Sequence, residues 1–258
     1  MSGGRLTIVG TGIRAGLHTS IESRACIEHA QKVLYLVSDP VAAKWVENLN
    51  TTAESLSHLY ETGRDRLETY DAIIESILRW LRDGVDLCVV FYGHPGFLVS
   101  PSHEAIRQAR LEGFQAEMLA GISCFDLIHT DLGLDLAGMG YQAFEATTFL
   151  VYGFRFDTSA PLILYQISVI GDNTWSPNPD LSRLSVLIEY LHHHYGSEHE
   201  VIVYEACPYA VGSPLILRMP LSQLIKAHIT HGSTLYVPPK PARTPDAGML
   251  KRLGLEAE

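Results

Sequence analysis

Leu87-Cys-Val-Val-Phe-Tyr-Gly-His-Pro-Gly-Phe97 runs an unbroken apolar segment straight into a Gly-His-Pro-Gly turn. A strand without polar alternation is buried on both faces, as in a parallel sheet. The glycines flanking His94 and Pro95 allow close approach of the backbone, because no Cβ intervenes. In open α/β sheets the ligand crevice lies at the carboxyl ends of the strands, where this turn falls.

Working outward, a strand at 5–9 leads into Gly10-Thr-Gly12, a helix follows over 19–31 and a second strand over 32–37. This is a β-α-β opening. Its Gly-Thr-Gly lacks the third glycine and the downstream acid of a dinucleotide fingerprint, so it is not read as an NAD site. Over 64–83, Leu67, Tyr70, Ile74, Ile77, Leu78 and Leu81 fall on one helical face, with Asp65 as N-cap and Gly84 as terminator. A helix over 102–111 and a strand over 114–118 follow the central strand.

The pattern changes around Leu119-Ala-Gly-Ile-Ser123, which predicts an N-terminal α/β domain at 1–119, a C-terminal α/β domain at 120–239 and a short tail at 240–258. In the second domain, 148–152 and 162–169 read as sheet and 181–193 as helix. Residues 201–204, 215–219 and 234–237 read as strands, with a short helix over 220–226.

The 258 residues are 47% hydrophobic and 19% charged, enough for a full globular core. A formal charge of −10 weighs against a nucleic-acid surface. Cys26, Cys88, Cys124 and Cys207 show no metal-ligand spacing and read as small buried hydrophobes of a reducing compartment. His192-His-His194 reads as a solvated loop, so no metal is expected. With no signal-peptide core and no membrane-length stretch, the expectation is a cytoplasmic protein that uses no membrane.

Two groups carry chemistry. Arg66 and Tyr70 are four residues apart on one helix, so their side chains can lie together, and Tyr60 precedes them in a loop. A cation beside a phenol favours the phenolate, which can accept a proton or help hold charge developing on oxygen. The plain alternative is a core-edge tyrosine beside a solvated arginine. The second group comprises Gln142, Glu145 and Thr147, with Tyr165-Gln166 inside an apolar strand. Glu205-Ala206 and Ser233-Thr234 are further strand-end positions. There is no G-x-S-x-G elbow, P-loop or H-E-x-x-H.

From Leu6 to about Pro239 the chain resembles the tetrapyrrole methylase superfamily of S-adenosylmethionine (SAM) dependent enzymes. The general marks are Val9-Gly-Thr-Gly12, Tyr92-Gly-His-Pro-Gly96 and Ala120-Gly-Ile-Ser123. Within that superfamily it is most similar to the borosin peptide-backbone α-N-methyltransferases. That likeness is carried by Tyr60, Arg66-Leu-Glu-Thr-Tyr70, Phe91–Phe97, Gln142-Ala-Phe-Glu-Ala-Thr147 and Leu164-Tyr-Gln166.

The resemblance implies two α/β domains with SAM in the interdomain cleft, S-adenosylhomocysteine as product, and a homodimer. It assigns catalysis to Arg66 and Tyr70 and an auxiliary role to Tyr60. In the implied mechanism Tyr70 is the base, Arg66 lowers its pKa and Tyr60 stabilises the oxyanion. Ser57 stands where some members carry a further tyrosine. The implied SAM contacts are Tyr92, His94, Phe97, Ser123, Cys124, Gln166, Ala206, Ser233 and Thr234, with Phe97 and Cys124 replacing smaller residues.

Fused borosin enzymes methylate their own tail. The tail here, to Glu258, reads as too short for that, so a split enzyme acting on a separate precursor peptide is expected. The competing readings are a small-molecule methylase of corrin-like macrocycles, which leaves the Arg66–Tyr70 pair unexplained, and a non-catalytic peptide-binding relative. Acidity weighs against methylation of ribosomal RNA.

Overall fold

The computed structural model describes residues 4–241 and 244–255. Its first compact unit comprises Met1–Leu134, Asp172–Pro179 and Glu205–Leu215, and its second Asp135–Gly171, Asp180–Tyr204 and Ile216–Glu258. The division is therefore not a single cut after residue 119. The change of pattern there marks the end of a strand, and the helix beyond it still belongs to the first unit.

In chain order the first unit holds β1 (Arg5–Gly10), α1 (Ile21–His29), β2 (Lys32–Leu36), α2 (Pro40–Leu49) and β3 (Glu54–Ser55). It continues with α3 (Arg66–Arg82), β4 (Leu87–Phe91), α4 (Ser100–Leu111), β5 (Gln115–Met118) and α5 (Cys124–Asp131). The strands pair in parallel in the order β3-β2-β4-β1-β5.

The unbroken apolar character of β4 has a direct cause. Leu87, Val89 and Phe91 join a core with Ile73, Ile77, Leu78 and Leu81 of α3 and Ala105 and Ala109 of α4. Cys88 and Val90 face the other way and pack with Ile27 of α1 and Val46 of α2. Both faces of the strand are covered, as a parallel sheet requires. The helices that follow β1 and β4 thus lie on opposite faces of the sheet. That makes the gap between these neighbouring strands a topological switch point, where α/β sheets open their crevice.

The second unit contains α6 (Leu136–Met139), β6 (Gln142–Glu145), α7 (Ala146–Tyr152), β7 (Leu162–Tyr165), α8 (Leu184–Tyr195) and β8 (Glu200–Glu205). β9 (Leu215–Pro220), β10 (Thr234–Val237) and α9 (Ala247–Leu253) complete it, apart from strand ends shared with the first unit. Its five-stranded sheet runs β6-β7-β10-β8-β9 and is mixed: β6 is parallel to β7, and β10 is antiparallel to β7 and β8.

Three expectations are corrected here. Residues 148–152 are helical, not sheet. The Glu145 carboxylate accepts from the Thr147 and Thr148 N–H groups at 2.9 and 2.7 Å and starts α7, burying Ala146 and Phe149 while Val151 and Tyr152 stay exposed. Three-residue spacing of buried positions is a helix pattern. His192, His193 and His194 lie not in a loop but in the last turn of α8, where histidine complements the helix dipole. Gln166 is not inside a strand: β7 ends at Tyr165, and Gln166 adopts a left-handed φ of 57°.

All four cysteines are free thiols, but only Cys88 and Cys207 are buried; Cys26 and Cys124 are half-buried. Among the described residues no helix is long and apolar enough to cross a membrane. None of the described His, Cys, Asp and Glu side chains group in threes suited to a metal ion.

Candidate active site

The three glycine-bearing motifs meet at the carboxyl ends of β1, β4 and β5. Gly12 and Gly93 exchange backbone hydrogen bonds, each at 3.1 Å, and the Thr11 N–H donates to the Phe91 carbonyl at 2.9 Å. A Cβ on Gly10 would collide with the Gly93 carbonyl oxygen and the Pro95 ring. One on Gly121 would sit 3.2 Å from the same carbonyl, from His94 Cα and from Pro95 Cδ. Close packing of turn on turn therefore demands glycine at positions 10 and 121. Within the turn, the Gly96 N–H donates to His94 Nδ1 at 2.9 Å, which leaves Nε2 to carry the proton of the neutral ring.

Tyr60, Arg66 and Tyr70 come together beside this turn's supporting core. Tyr60 and Tyr70 pack against the hydrophobic cluster that contains Phe91, the residue just before Tyr92. Asp65 caps α3 by accepting from the Leu67 N–H at 2.7 Å, so Arg66 and Tyr70 occupy the first two turns of the helix. Burial, and then the neighbouring Tyr70, push the Tyr60 phenol up to about 12, while the Arg66 charge works in the opposite direction. Tyr60 is thus held protonated, as a donor. Among the described residues neither phenol makes a side-chain hydrogen bond, and Arg66 makes no ion pair. Arg66 Nε donates to the Thr174 carbonyl at 3.1 Å.

A segment that the sequence reading passed over frames this cluster. The Arg66 N–H donates to the Asn173 carbonyl at 2.7 Å, and Asp65 and Thr174 form an antiparallel bridge. The Trp175 ring meets Tyr60 edge to face, with centroids 5.9 Å apart and planes at 65°. Ser57, in a short 3-10 turn, is exposed and hydrogen-bonds with Ser55 at 2.8 Å.

Of the expected methyl-donor contacts, Tyr92, His94, Phe97, Ser123, Cys124 and Ala206 lie in the first unit. The half-buried Tyr92 phenol is driven upward by burial first, then by Cys124 and Glu205, with Asp39 and Cys207 adding smaller effects. Cys124 and the residues flanking Ala206 thus lie within electrostatic reach of Tyr92. Ser123 caps α5: its hydroxyl donates to Asp126 at 2.8 Å and accepts from the Phe125 N–H. Its side chain is committed to that box. Gln166, Ser233 and Thr234 lie in the second unit. There Ser233 Oγ accepts from the Thr230 N–H at 2.9 Å, Thr234 opens β10, and Gln166 carries backbone strain. Strained non-glycine backbone gathers at functional sites. Elsewhere in that unit, Gln142 bonds residue 157 through both ends of its amide, at 2.8 and 2.7 Å, which satisfies it structurally.

A parallel sheet with glycine turns at a switch point, together with a mixed second sheet, defines the α/β class of the protein. The chain matches the model of the Tetrapyrrole (Corrin/Porphyrin) Methylases over residues 5–224 and belongs to that family. A uroporphyrin-III-C-methyltransferase from Thermus thermophilus shares the fold, with a TM-score of 0.65 at 15% identity over 92% of this chain and 93% of that one. A diphthine synthase aligns with a TM-score of 0.59 at 16% identity, covering 92% and 91%.

Two other proteins are much more similar in sequence. One, from Gymnopus fusipes, is named a methyltransferase/ribosomally synthesized cyclic peptide precursor of gymnopeptides. It is 38% identical over 98% of this chain and 62% of its own length. The other, from Omphalotus olearius, is named in the same way for omphalotin A and is 34% identical over 98% and 62%. The chain therefore spans about three-fifths of the length of these relatives.

Proposed function

We propose that this chain is a SAM-dependent methyltransferase acting on backbone amide nitrogens of a ribosomally made precursor peptide, in the manner of the borosins. The carrying observation is the Tyr60–Arg66–Tyr70 cluster, with two phenols free of side-chain partners among the described residues beside an arginine that makes no ion pair among them. The peptide-precursor names of the relatives favour a peptide over a macrocycle as substrate.

An amide nitrogen is a poor nucleophile, because resonance draws its lone pair into the carbonyl. Methylating it requires loss of the proton and build-up of charge on oxygen. In this reading Tyr70 accepts the amide proton and Arg66 supplies the positive charge beside it. Tyr60, kept protonated by burial, donates to the oxygen where charge collects.

SAM, when bound, supplies an electrophilic methyl group. The chain fits it: the half-buried Tyr92 phenol has no side-chain hydrogen bond among the described residues, next to a turn whose backbone is already held by Gly12. Tyr92, His94, Phe97, Cys124 and Ala206 would hold it, with Ser123 fixing the start of α5. Gln166, Ser233 and Thr234 complete the set.

The test supplies SAM and a synthetic peptide spanning the part of the Omphalotus olearius relative outside the matched region, followed by tandem mass spectrometry. Methyl-sized increments on backbone nitrogens are expected. Their absence, with SAM bound and a macrocycle methylated instead, overturns the reading. Sedimentation velocity tests the homodimer that the resemblance implies.

A further inference from the structure

We infer that Asn173-Thr174-Trp175 is the positioning element of the tyrosine–arginine cluster, Trp175 acting on the Tyr60 ring and the Thr174 carbonyl on the Arg66 guanidinium. This rests on the function proposed above. The strap that carries these residues, Asp172–Pro179, belongs to the first unit although the chain on either side of it belongs to the second.

Its grip on the cluster is a short backbone ladder. The Gly63 N–H donates to the Trp175 carbonyl at 2.8 Å, the Trp175 N–H to the Arg64 carbonyl at 3.1 Å, and the Arg66 N–H to the Asn173 carbonyl at 2.7 Å. The ladder clamps the turn that leads into α3, so Arg66 enters the helix at a fixed angle. The strap is itself shaped by Asp172, whose Oδ1 accepts from both the N–H and the hydroxyl of Thr174 at 2.8 Å.

Two contacts then reach past the backbone. Arg66 Nε is held by the Thr174 carbonyl at 3.1 Å, which leaves the outer guanidinium nitrogens for the phenols or a substrate. The edge of the Trp175 ring limits rotation of Tyr60, whose hydroxyl lies at the far end of a side chain with no hydrogen bond of its own among the described residues. A phenol that drifts loses its aim, and misplacement by about 1 Å costs on the order of 10²-fold in rate.

The test is Trp175→Ala and Trp175→Phe in the full chain, each also combined with Tyr60→Phe. Trp175→Ala should lower kcat for peptide methylation roughly 10- to 100-fold while the calorimetric Kd for SAM stays unchanged. Trp175→Phe, which keeps a ring edge, should recover most of the rate. In the Tyr60→Phe background, removing the indole should cost little, because the hydroxyl it aims is already gone. An equal loss in both backgrounds, or a wild-type rate in Trp175→Ala, overturns the inference.

NMR of the protein carrying 13C-labelled tyrosine reads the Tyr60 ring without any turnover. A Tyr60 signal that broadens in Trp175→Ala, beyond the shift that loss of the indole ring current alone produces, supports positioning even if no peptide is methylated, in which case only the proposed function fails. A Tyr60 signal that keeps its line width overturns the positioning role whatever the activity.

Discussion

Replacing Gly10 with alanine probes the packing that joins the first and central strands. The new Cβ would meet the Gly93 carbonyl oxygen and Pro95 Cδ, a backbone atom and a rigid ring, so neither can swing aside. Overpacking of this kind costs about 1–3 kcal/mol, and the two reciprocal Gly12–Gly93 hydrogen bonds it disturbs contribute about 0.5–1.5 kcal/mol each, giving about 2–6 kcal/mol in all. With a urea dependence of about 1–3 kcal/mol per molar, the unfolding midpoint should drop by about 0.7 M or more.

Gly113→Ala is the matched control. Its φ of +89° strains alanine, but nothing lies within 4 Å of the added atom. Its cost should stop at about 1–2 kcal/mol, from the backbone alone. Calorimetry should also show weakened SAM binding for Gly10→Ala and not for Gly113→Ala, since only the former displaces the turn that carries His94 and Phe97. Equal midpoints for Gly10→Ala and Gly113→Ala would refute the packing argument.

Other outcomes are as definite. Tyr70→Phe should cut methyl transfer by about 10²–10⁴-fold with SAM affinity retained, measured by initial rates and calorimetry, and full activity would remove Tyr70 from the proton-accepting role. Burial holds the Tyr60 phenol up at about 12, above its ordinary value near 10. Its contribution to stability should therefore be complete below about pH 10 and be lost as pH rises through about 12, because the unfolded chain ionises first. Ultraviolet titration should show the high-pH step shrink by one residue in Tyr60→Phe. Among the described residues the buried Tyr195 hydroxyl has no hydrogen-bond partner, so Tyr195→Phe should raise stability by about 1 kcal/mol in urea unfolding; a loss instead would reveal a bond the hydroxyl makes.

Much of the first unit was legible because local signals agreed there. β4 announces itself by burial on both faces, and α3 by one apolar stripe with Asp65 at its start. Residues 40–49 carry the same kind of signal, with Ala42, Trp45, Val46 and Leu49 at helical spacing behind Asp39, whose side-chain bonds, at 2.9 and 3.0 Å, begin α2. Thr148–Tyr152 misled because a β-branched and aromatic run suits either state, and the Glu145 cap tipped it into helix. Gln166 misled because a left-handed residue ending a strand leaves no mark in composition. The Tyr60–Arg66–Tyr70 grouping could be read from helical spacing for one pair and from likeness for the third member. The strap could not be read at all. Its hydrogen bonds to the cluster run through backbone groups, which every residue possesses, and the bond from Arg66 to Thr174 spans 108 positions.

That span has a consequence during synthesis. All strands of the parallel sheet lie within residues 5–118, so a nascent chain can assemble that scaffold early. The acceptor for the Arg66 side chain emerges 108 residues after its donor, a delay of about 5–20 s at ordinary ribosomal speed. Until then the guanidinium lacks that acceptor, although every strand of the sheet has been made. On the proposed function, scaffold and reactivity thus mature on separate clocks.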